Sequence, residues 1–230
     1  MTSTWVVGDV HGCAKELALL LATIDLQPGD RFLSAGDLFH RGPDPVGVLR
    51  ILQGLGDTFD MVLGNHERAL LKQGAATGYG GDLRGDNQAK MDPSALPVAE
   101  EFFDFLQGRK YFLRGVCNGS AWAAPNTQRN WILVHASVLP GRKVEDMQAA
   151  EIIRLSRCHD RPGAPLWHEA WEGPEFVLFG HAQSAAGMHQ SEDGEPLAYG
   201  LDTGCVYGGM LTAIRLEDLA VVQQPSLGIE

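Results

Sequence analysis

Five times along this chain a short, largely apolar run stops at a residue able to bind a metal ion. Thr4 to Val7 leads into Gly8-Asp9, Arg31 to Ala35 into Gly36-Asp37, and Phe59 to Leu63 into Gly64-Asn65-His66. Trp131 to Val134 leads into His135, and Phe176 to Phe179 into Gly180-His181. Runs this short, bounded by glycine-bearing polar turns, read as buried strands. Between the first three lie two stretches with helical spacing, Ala14 to Ile24 and Pro45 to Leu55. Strand and helix alternate as βαβαβ, which predicts a parallel sheet with its ligand site at the carboxyl ends of the strands.

The remainder is less regular. Gln73 to Pro97 is rich in Gly, Asp and Ala and reads as a surface insert or lid, followed by a helix over about Pro97 to Gln107. A further helix is expected over Val144 to Ser156, and antiparallel strands with glycine turns over Leu197 to Val222. Late strands of this kind predict a second sheet packed on the first, with helices outside. The expected domain organisation is one domain over 1–230, with the lid or insert at about 73–110.

With 44% hydrophobic and 20% charged residues the 230-residue chain is ordinary for a soluble protein with a sizeable core. Lys and Arg total 18 against 29 Asp and Glu, a formal charge of −11. That balance argues against a nucleic-acid polymer or an anionic membrane as partner, because both require a basic footprint. An anionic substrate would have to be drawn in locally, by metal ions and a few arginines. The four cysteines, Cys13, Cys117, Cys158 and Cys205, form no C-x-x-C pair, so a zinc ribbon is not expected and spacing establishes no disulfide. Neither a basic-then-apolar leader nor an apolar run of membrane-spanning length is evident, and a reducing cytoplasm is the expected setting.

Asp9, His11, Asp37, Asn65, His135 and His181, with His66 beside them, mix hard oxygen donors with imidazoles. Such a set suits Mn, Fe, Zn or Co better than a thiolate-bound ion. One Gly-Asp turn is common, and a lone histidine at a strand end is more often structural. Ordered recurrence at successive strand ends is the signal.

These motifs resemble a known family. Gly8-Asp9-Val10-His11-Gly12, Gly36-Asp37-Leu38-Phe39-His40-Arg41-Gly42 and Gly64-Asn65-His66-Glu67 are similar to the three signature motifs of the PPP-type, calcineurin-like metallophosphoesterases. His135-Ala136 and Gly180-His181 stand where that family has its last two metal histidines. Gly42-Pro43, Val48-Leu49-Arg50 and Leu201 to Gly209 resemble its bacterial branch, which includes symmetrical diadenosine tetraphosphatases and small Ser/Thr phosphatases. The resemblance implies an α/β/β/α sandwich, two packed mixed sheets flanked by helices with a small helical or loop insert. It implies two divalent ions, Mn first, with Fe, Zn, Co and Ni as alternatives. Asp9 and His11 would hold one, Asn65, His135 and His181 the other, and Asp37 both. Two ions roughly 3.5–4 Å apart can share a hydroxide that attacks phosphorus in line. His66 would then act as general acid, and Arg41 would grip phosphoryl oxygens in its planar fork. Arg157 resembles a second phosphate-binding arginine; Arg154 competes for that role, and Arg68 stands behind both. Tyr207, in a glycine-rich turn, is a candidate substrate contact.

Two departures bear on substrate. Protein phosphatases carry Asp just before the arginine, where it orients the catalytic histidine; here that position is His40. Position 136 is Ala, in His135-Ala136-Ser137, where eukaryotic members have Gly. The substrate is expected to be a phosphorylated protein or peptide, or a dinucleoside polyphosphate. The short insert ranks the protein phosphatase or broad phosphomonoesterase reading first, and His40 favours the tetraphosphatase. A catalytically silent metal-binding scaffold is the remote alternative, and it would predict lost ligands. His159, His168 and His189 are expected at the surface or in loops. Trp167 and Trp171 read as pocket lining or as packing, and Cys13 and Cys205 as small buried residues.

Overall fold

The computed structural model of the chain describes residues 2–77, 98–118, 128–159 and 163–228. β1 (Thr4–Val7), β2 (Arg31–Ser34) and β3 (Phe59–Met61) lie parallel, with Thr4 opposite Arg31 and Phe32 opposite Phe59. The crossovers between them are α1 (Ala14–Ile24) and α2 (Pro45–Gly54). Asp44 starts α2 as sequence rules require: its carboxylate accepts the Gly47 N–H at 2.7 Å, and Pro45 occupies the first turn. The βαβαβ expectation therefore holds over the first third of the chain.

After β3 come α3 (Asn65–Thr77) and α4 (Ala99–Leu106), then β4 (Phe112–Asn118) and β5 (Gln128–Val134). The short α5 (Ala149–Ile152), β6 (Phe176–Phe179), β7 (Gly187–Gln190), β8 (Pro196–Gly200), β9 (Met210–Arg215) and β10 (Val221–Pro225) complete the order. One sheet runs β10-β9-β1-β2-β3 and the other β4-β5-β6-β8-β7. Each is mixed: β9 pairs antiparallel with β1, while β5, β6 and β8 are parallel between antiparallel edges.

Strand alternation builds four layers. Val6, Leu33, Trp131, Leu133, Phe176 and Leu178 point into one core shared by the two sheets. Their neighbours Trp5, Val7 and Phe32 face α1, α2 and α4. On the other sheet Ile132, Val134, Val177 and Phe179 face a third core with Trp167 and Trp171. A strand buried on both faces has no polar side to show, which is why these runs were continuous in the sequence. The helix–sheet–sheet–helix sandwich is as expected.

Three expectations are corrected. Val144 to Ser156 is not one helix: a 3₁₀ turn at Val144–Asp146 and the four-residue α5 flank an extended Met147. The Ile152 carbonyl leaves the helical ladder to accept the Ala136 and Ser137 N–H groups, at 2.8 and 3.1 Å. The chain over Leu197 to Val222 changes sheets, with β8 parallel to β6 and only β9 and β10 antiparallel. His168 is buried, its ring 4.1 Å from that of His189 and stacked on Phe179. Trp167 and Trp171 are core residues, so the packing reading holds. The expected lid falls in large part on 78–97, outside the described residues, although α4 at its end is present. No helix among the described residues is long and apolar enough to cross a membrane.

Candidate metal centre

At the carboxyl end of β1 the chain turns through Asp9 and His11, and at the end of β2 through Asp37 and Arg41. The two turns are laced together: His11 N donates to the Asp37 carbonyl at 2.9 Å and Gly12 N to that of Leu38 at 2.7 Å. Holding them costs backbone strain. His11, Asp37, Arg41 and His181 all have φ between 47° and 78°, against two other non-glycine residues with positive φ among those described. Each such residue costs on the order of 1–3 kcal/mol and persists only where its surroundings over-determine it. The cost is concentrated at one place.

Two glycines let the carboxylates sit against bare backbone. A Cβ at Gly180 would fall 2.0 Å from Asp9 Oδ1, and one at Gly64 would fall 2.1 Å from Asp37 Oδ1. The oxygens are then fixed by N–H donors. Asp9 accepts from His181 N at 3.1 and 3.2 Å, and Asp37 Oδ1 from His66 N at 3.1 Å. Glu67, buried in the first turn of α3, accepts from Asp37 N and Leu38 N at 2.8 Å each and from Gly64 N at 3.0 Å. One carboxylate thus ties the second signature turn to the third. Burial, and then the Asp37 charge, lift the Glu67 carboxyl to about 7.

Asp37 Oδ2 is the hub. It lies 3.4 Å from His135 Nε2 and 3.8 Å from the Nε2 atoms of His11 and His66. His11 Nε2 is also 3.9 Å from Asp9 Oδ2. Donor atoms of His11, Asp37 and His66 fall within 4.8 Å of one another, as do those of Asp37, His135 and His181, so Asp37 joins two groups.

Whether the residues fit divalent ions can be judged at His135. Its Nδ1 lies 2.8 Å from the Ala35 carbonyl, to which it donates, and Nε2 then faces Asn65 Oδ1 at 2.9 Å and Asp37 Oδ2 at 3.4 Å. A neutral imidazole in that tautomer would point a lone pair at two oxygen acceptors. Only a proton or a cation resolves the contact. Burial lowers the His135 pKa, but the Asp37 charge outweighs it and pushes it up to about 10. Burial and Asp202 hold the Asp9 carboxyl well above the carboxylate range, another mark of negative charge lacking a counter-ion. His11, at about 3, and His181, at about 4, are kept neutral chiefly by burial, as ligation demands. The donor set fits divalent metal ions.

The remaining expected residues are placed as follows. His66 is buried, its ring 5.2 Å from that of His11. Arg41 is exposed at the mouth, with Nη1 2.8 Å from His11 Nε2 and Cζ 5.7 Å from the centre of the Tyr207 ring. Tyr207 is itself 61% exposed, so its ring is open to a ligand. Arg157 is not drawn in: its guanidinium donates to the Ala164 carbonyl, and no hydrogen bond or ion pair joins it to the cluster among the described residues. Arg154 is nearer: its backbone is among the groups that act on the His181 imidazole. Sequence reasoning gave no role to Glu67 or to Asp202, a buried carboxylate on the crossing between sheets. Asp202 accepts the Gly204 N–H at 3.1 Å and adds negative charge beside Asp9. Both lie inside motif-like stretches, and that was the available signal.

The calcineurin-like phosphoesterase family profile matches residues 2–203. The chain is 30% identical to the protein named symmetrical bis(5'-nucleosyl)-tetraphosphatase of Yersinia enterocolitica, over 291 aligned positions covering 99% of this chain and 93% of that one. It is 31% identical to the protein of that name from Edwardsiella ictaluri, covering 97% and 96%. A crystal structure provisionally described as a diadenosine tetraphosphatase superposes with a TM-score of 0.74 at 28% identity, covering 98% of this chain and 94% of that one. With the profile reaching from β1 past His181 and the sandwich in place around it, the chain belongs to the calcineurin-like phosphoesterase family and is a metal-dependent phosphoester hydrolase.

Proposed function

We propose that this hydrolase acts on dinucleoside polyphosphates, cutting a tetraphosphate symmetrically into two nucleoside diphosphates. Relatives of that name match at about 30% identity over nearly their whole length and nearly all of this chain. The alignment of 291 positions exceeds the 230 residues here, so the relative carries segments that this chain lacks. That fits the short insert; the relatives favour the tetraphosphatase over the Ser/Thr phosphatase that the insert alone ranks first.

The observation that carries this reading is His40 beside His66, with ring centroids 5.0 Å apart, where a protein phosphatase has its orienting carboxylate. A serine alkoxide is a strongly basic leaving group and needs a well-aimed proton. A nucleoside diphosphate leaves through a phosphate oxygen whose conjugate acid has a pKa of about 6, and it departs with little help. A site with an imidazole at that position suits the second substrate.

In this reading Asp9, His11 and Asp37 would hold one ion, and Asp37, Asn65, His135 and His181 the other. Bound ions would neutralise phosphoryl charge and supply a nucleophilic oxygen from water at neutral pH. Arg41 grips non-bridging oxygens at the mouth, with Tyr207 beside its guanidinium. His66 holds a proton at Nε2 for the departing oxygen. The water oxygen bonds to phosphorus, the bridging P–O bond breaks, the leaving oxygen takes the His66 proton, and the proton given up by the water restores His66 by way of solvent. No covalent phosphoenzyme forms.

The test is to load the protein with Mn and compare diadenosine tetraphosphate with a phosphoserine peptide, analysing products. Adenosine diphosphate as sole product supports the reading. Turnover of the peptide with the dinucleotide untouched, or asymmetric products, would overturn it.

A further inference from the structure

One group of buried, metal-competent side chains lies apart from the centre around Asp37. Cys13 Sγ, Cys205 Sγ and a Glu16 carboxylate oxygen all fall within 4.8 Å of one another. They come from distant parts of the chain. Cys13 caps α1 and Glu16 sits in its first turn, whereas Cys205 opens a 3₁₀ turn at Cys205–Tyr207.

Two buried cysteines alone would be ordinary core filling, and both do pack in the core with Leu17, Val206 and Leu211. Glu16 is what such a core does not explain. A carboxylate only 5% exposed is rare unless it is paired or binds a metal. Among the described residues no ion pair reaches it, and its hydrogen bond there is from Leu227 N at 2.8 Å. A glutamate at the third helical position usually reaches back to the capping N–H. Here Cys13 N donates to the Val10 carbonyl at 3.1 Å instead, and Glu16 lies with the sulfurs.

The donors also differ in kind from those around Asp37. Two sulfurs and one oxygen select a softer ion than imidazole and carboxylate do. Zinc bonds of about 2.3 Å to sulfur and about 2.1 Å to oxygen put tetrahedral ligands about 3.6–3.8 Å apart, so side-chain shifts of about 1 Å close the site. The His11 carbonyl, 3.9 Å from Cys13 Sγ, offers a fourth donor.

We propose that Cys13, Glu16 and Cys205 form a further metal site, for a thiophilic divalent ion of the zinc group. Both cysteines bind as thiolates and release their protons to solvent. Through Cys13 the ion ties down the turn that carries His11, through Cys205 the turn that carries Tyr207, and through Glu16 the tail at Leu227. The site stands whichever phosphoester is the substrate.

Cadmium is the probe, because its bonds to thiolate absorb in the ultraviolet and its bonds to imidazole and carboxylate do not. Reduced protein kept in excess Mn should take up one cadmium ion per chain with that absorption, its Mn content by mass spectrometry unchanged. Cys13→Ser and Cys205→Ser should each halve the absorption per bound ion. Cys158→Ser, at a half-buried position against the other core, should leave it as in the wild type. Glu16→Gln can still accept the Leu227 N–H, so it should keep the absorption but bind cadmium about tenfold more weakly or worse, having lost a charged ligand. Should a cysteine variant fail to fold, the wild type and Glu16→Gln still decide. Cadmium uptake without thiolate absorption, absorption that Cys158→Ser removes, or wild-type affinity in Glu16→Gln would each overturn the site.

Discussion

His40 packs against His66 with ring centroids 5.0 Å apart and planes inclined at 43°, both rings almost fully buried. An imidazole can steer its neighbour by packing, but it does not supply the fixed negative charge that stabilises an imidazolium. Asp37 Oδ2 lies 3.8 Å from His66 Nε2 and is shared with two other imidazoles. His66→Asn should therefore be strongly selective by leaving group. We expect kcat to fall about 10²–10⁴-fold on an alkyl phosphate such as a phosphoserine peptide, the usual worth of a general acid, and at most about tenfold on diadenosine tetraphosphate. Metal content, read by mass spectrometry, should stay at the wild-type value. Equal losses on both substrates would remove the leaving-group argument.

Glu67 holds three N–H groups that belong to two different signature turns. Gln at this position keeps the shape but turns an amide NH₂ toward donors, leaving buried N–H groups unsatisfied at about 1–3 kcal/mol each. Glu67→Gln should lower the Tm by several degrees in the metal-free protein and weaken Mn binding about 10–100-fold, the scale for groups that orient ligands. Unchanged Mn affinity by calorimetry would reduce Glu67 to a merely structural role.

How much of this was readable beforehand follows from where the information is local. Strands such as Phe176 to Phe179 announce themselves because both faces are buried, and Gly180-His181 follows directly. The pairing of β4 with β5 is hard to foresee because Phe112 to Asn118, at a sheet edge, buries only Cys117 and leaves its other positions exposed or half-buried, a weak pattern in sequence. The Val144 to Ser156 stretch misled because tertiary bonds to the Ile152 carbonyl override helical periodicity. The six candidate ligands could be identified one strand end at a time. Glu67 and Asp202 could not, since their importance lies in which N–H groups and charges the fold brings to them. Arg154 and Arg157 differ by three positions, and only the conformation around α5 separates them.

Gly180 offers a test of the centre that leaves every ligand intact. A methyl group there would meet Asp9 Oδ1 at 2.0 Å and the Ala35 side chain at 3.4 Å. The carboxylate must move, and with it the acceptor for His181 N. Gly180→Ala should cut Mn affinity about 10–100-fold and lower activity at fixed Mn, with partial recovery as Mn is raised. Retention of wild-type affinity would show that Asp9 is not a ligand in the position observed.

Metal removal should expose a pH dependence of opposite sign on the two flanks of neutrality. His135, with its folded pKa near 10, binds a proton more tightly than an unfolded histidine near 6.5. Its contribution is complete below about 6.5 and is lost as pH rises toward 10. His11 and His181, held near 3 and 4, do the reverse: their contribution is present above about 6.5 and is lost as pH falls toward those values. Chelated protein should thus be most stable near neutrality, its Tm falling on both sides, because stability follows the difference in bound protons between the unfolded and folded states. Ligation of His135 Nε2 replaces its proton, so Mn-loaded protein should lose the alkaline decline. Thermal melts at pH 6.5, 8 and 9.5 with and without Mn make the comparison. A decline between 6.5 and 9.5 that is the same with and without Mn would show that His135 is not the residue exchanging its proton for metal.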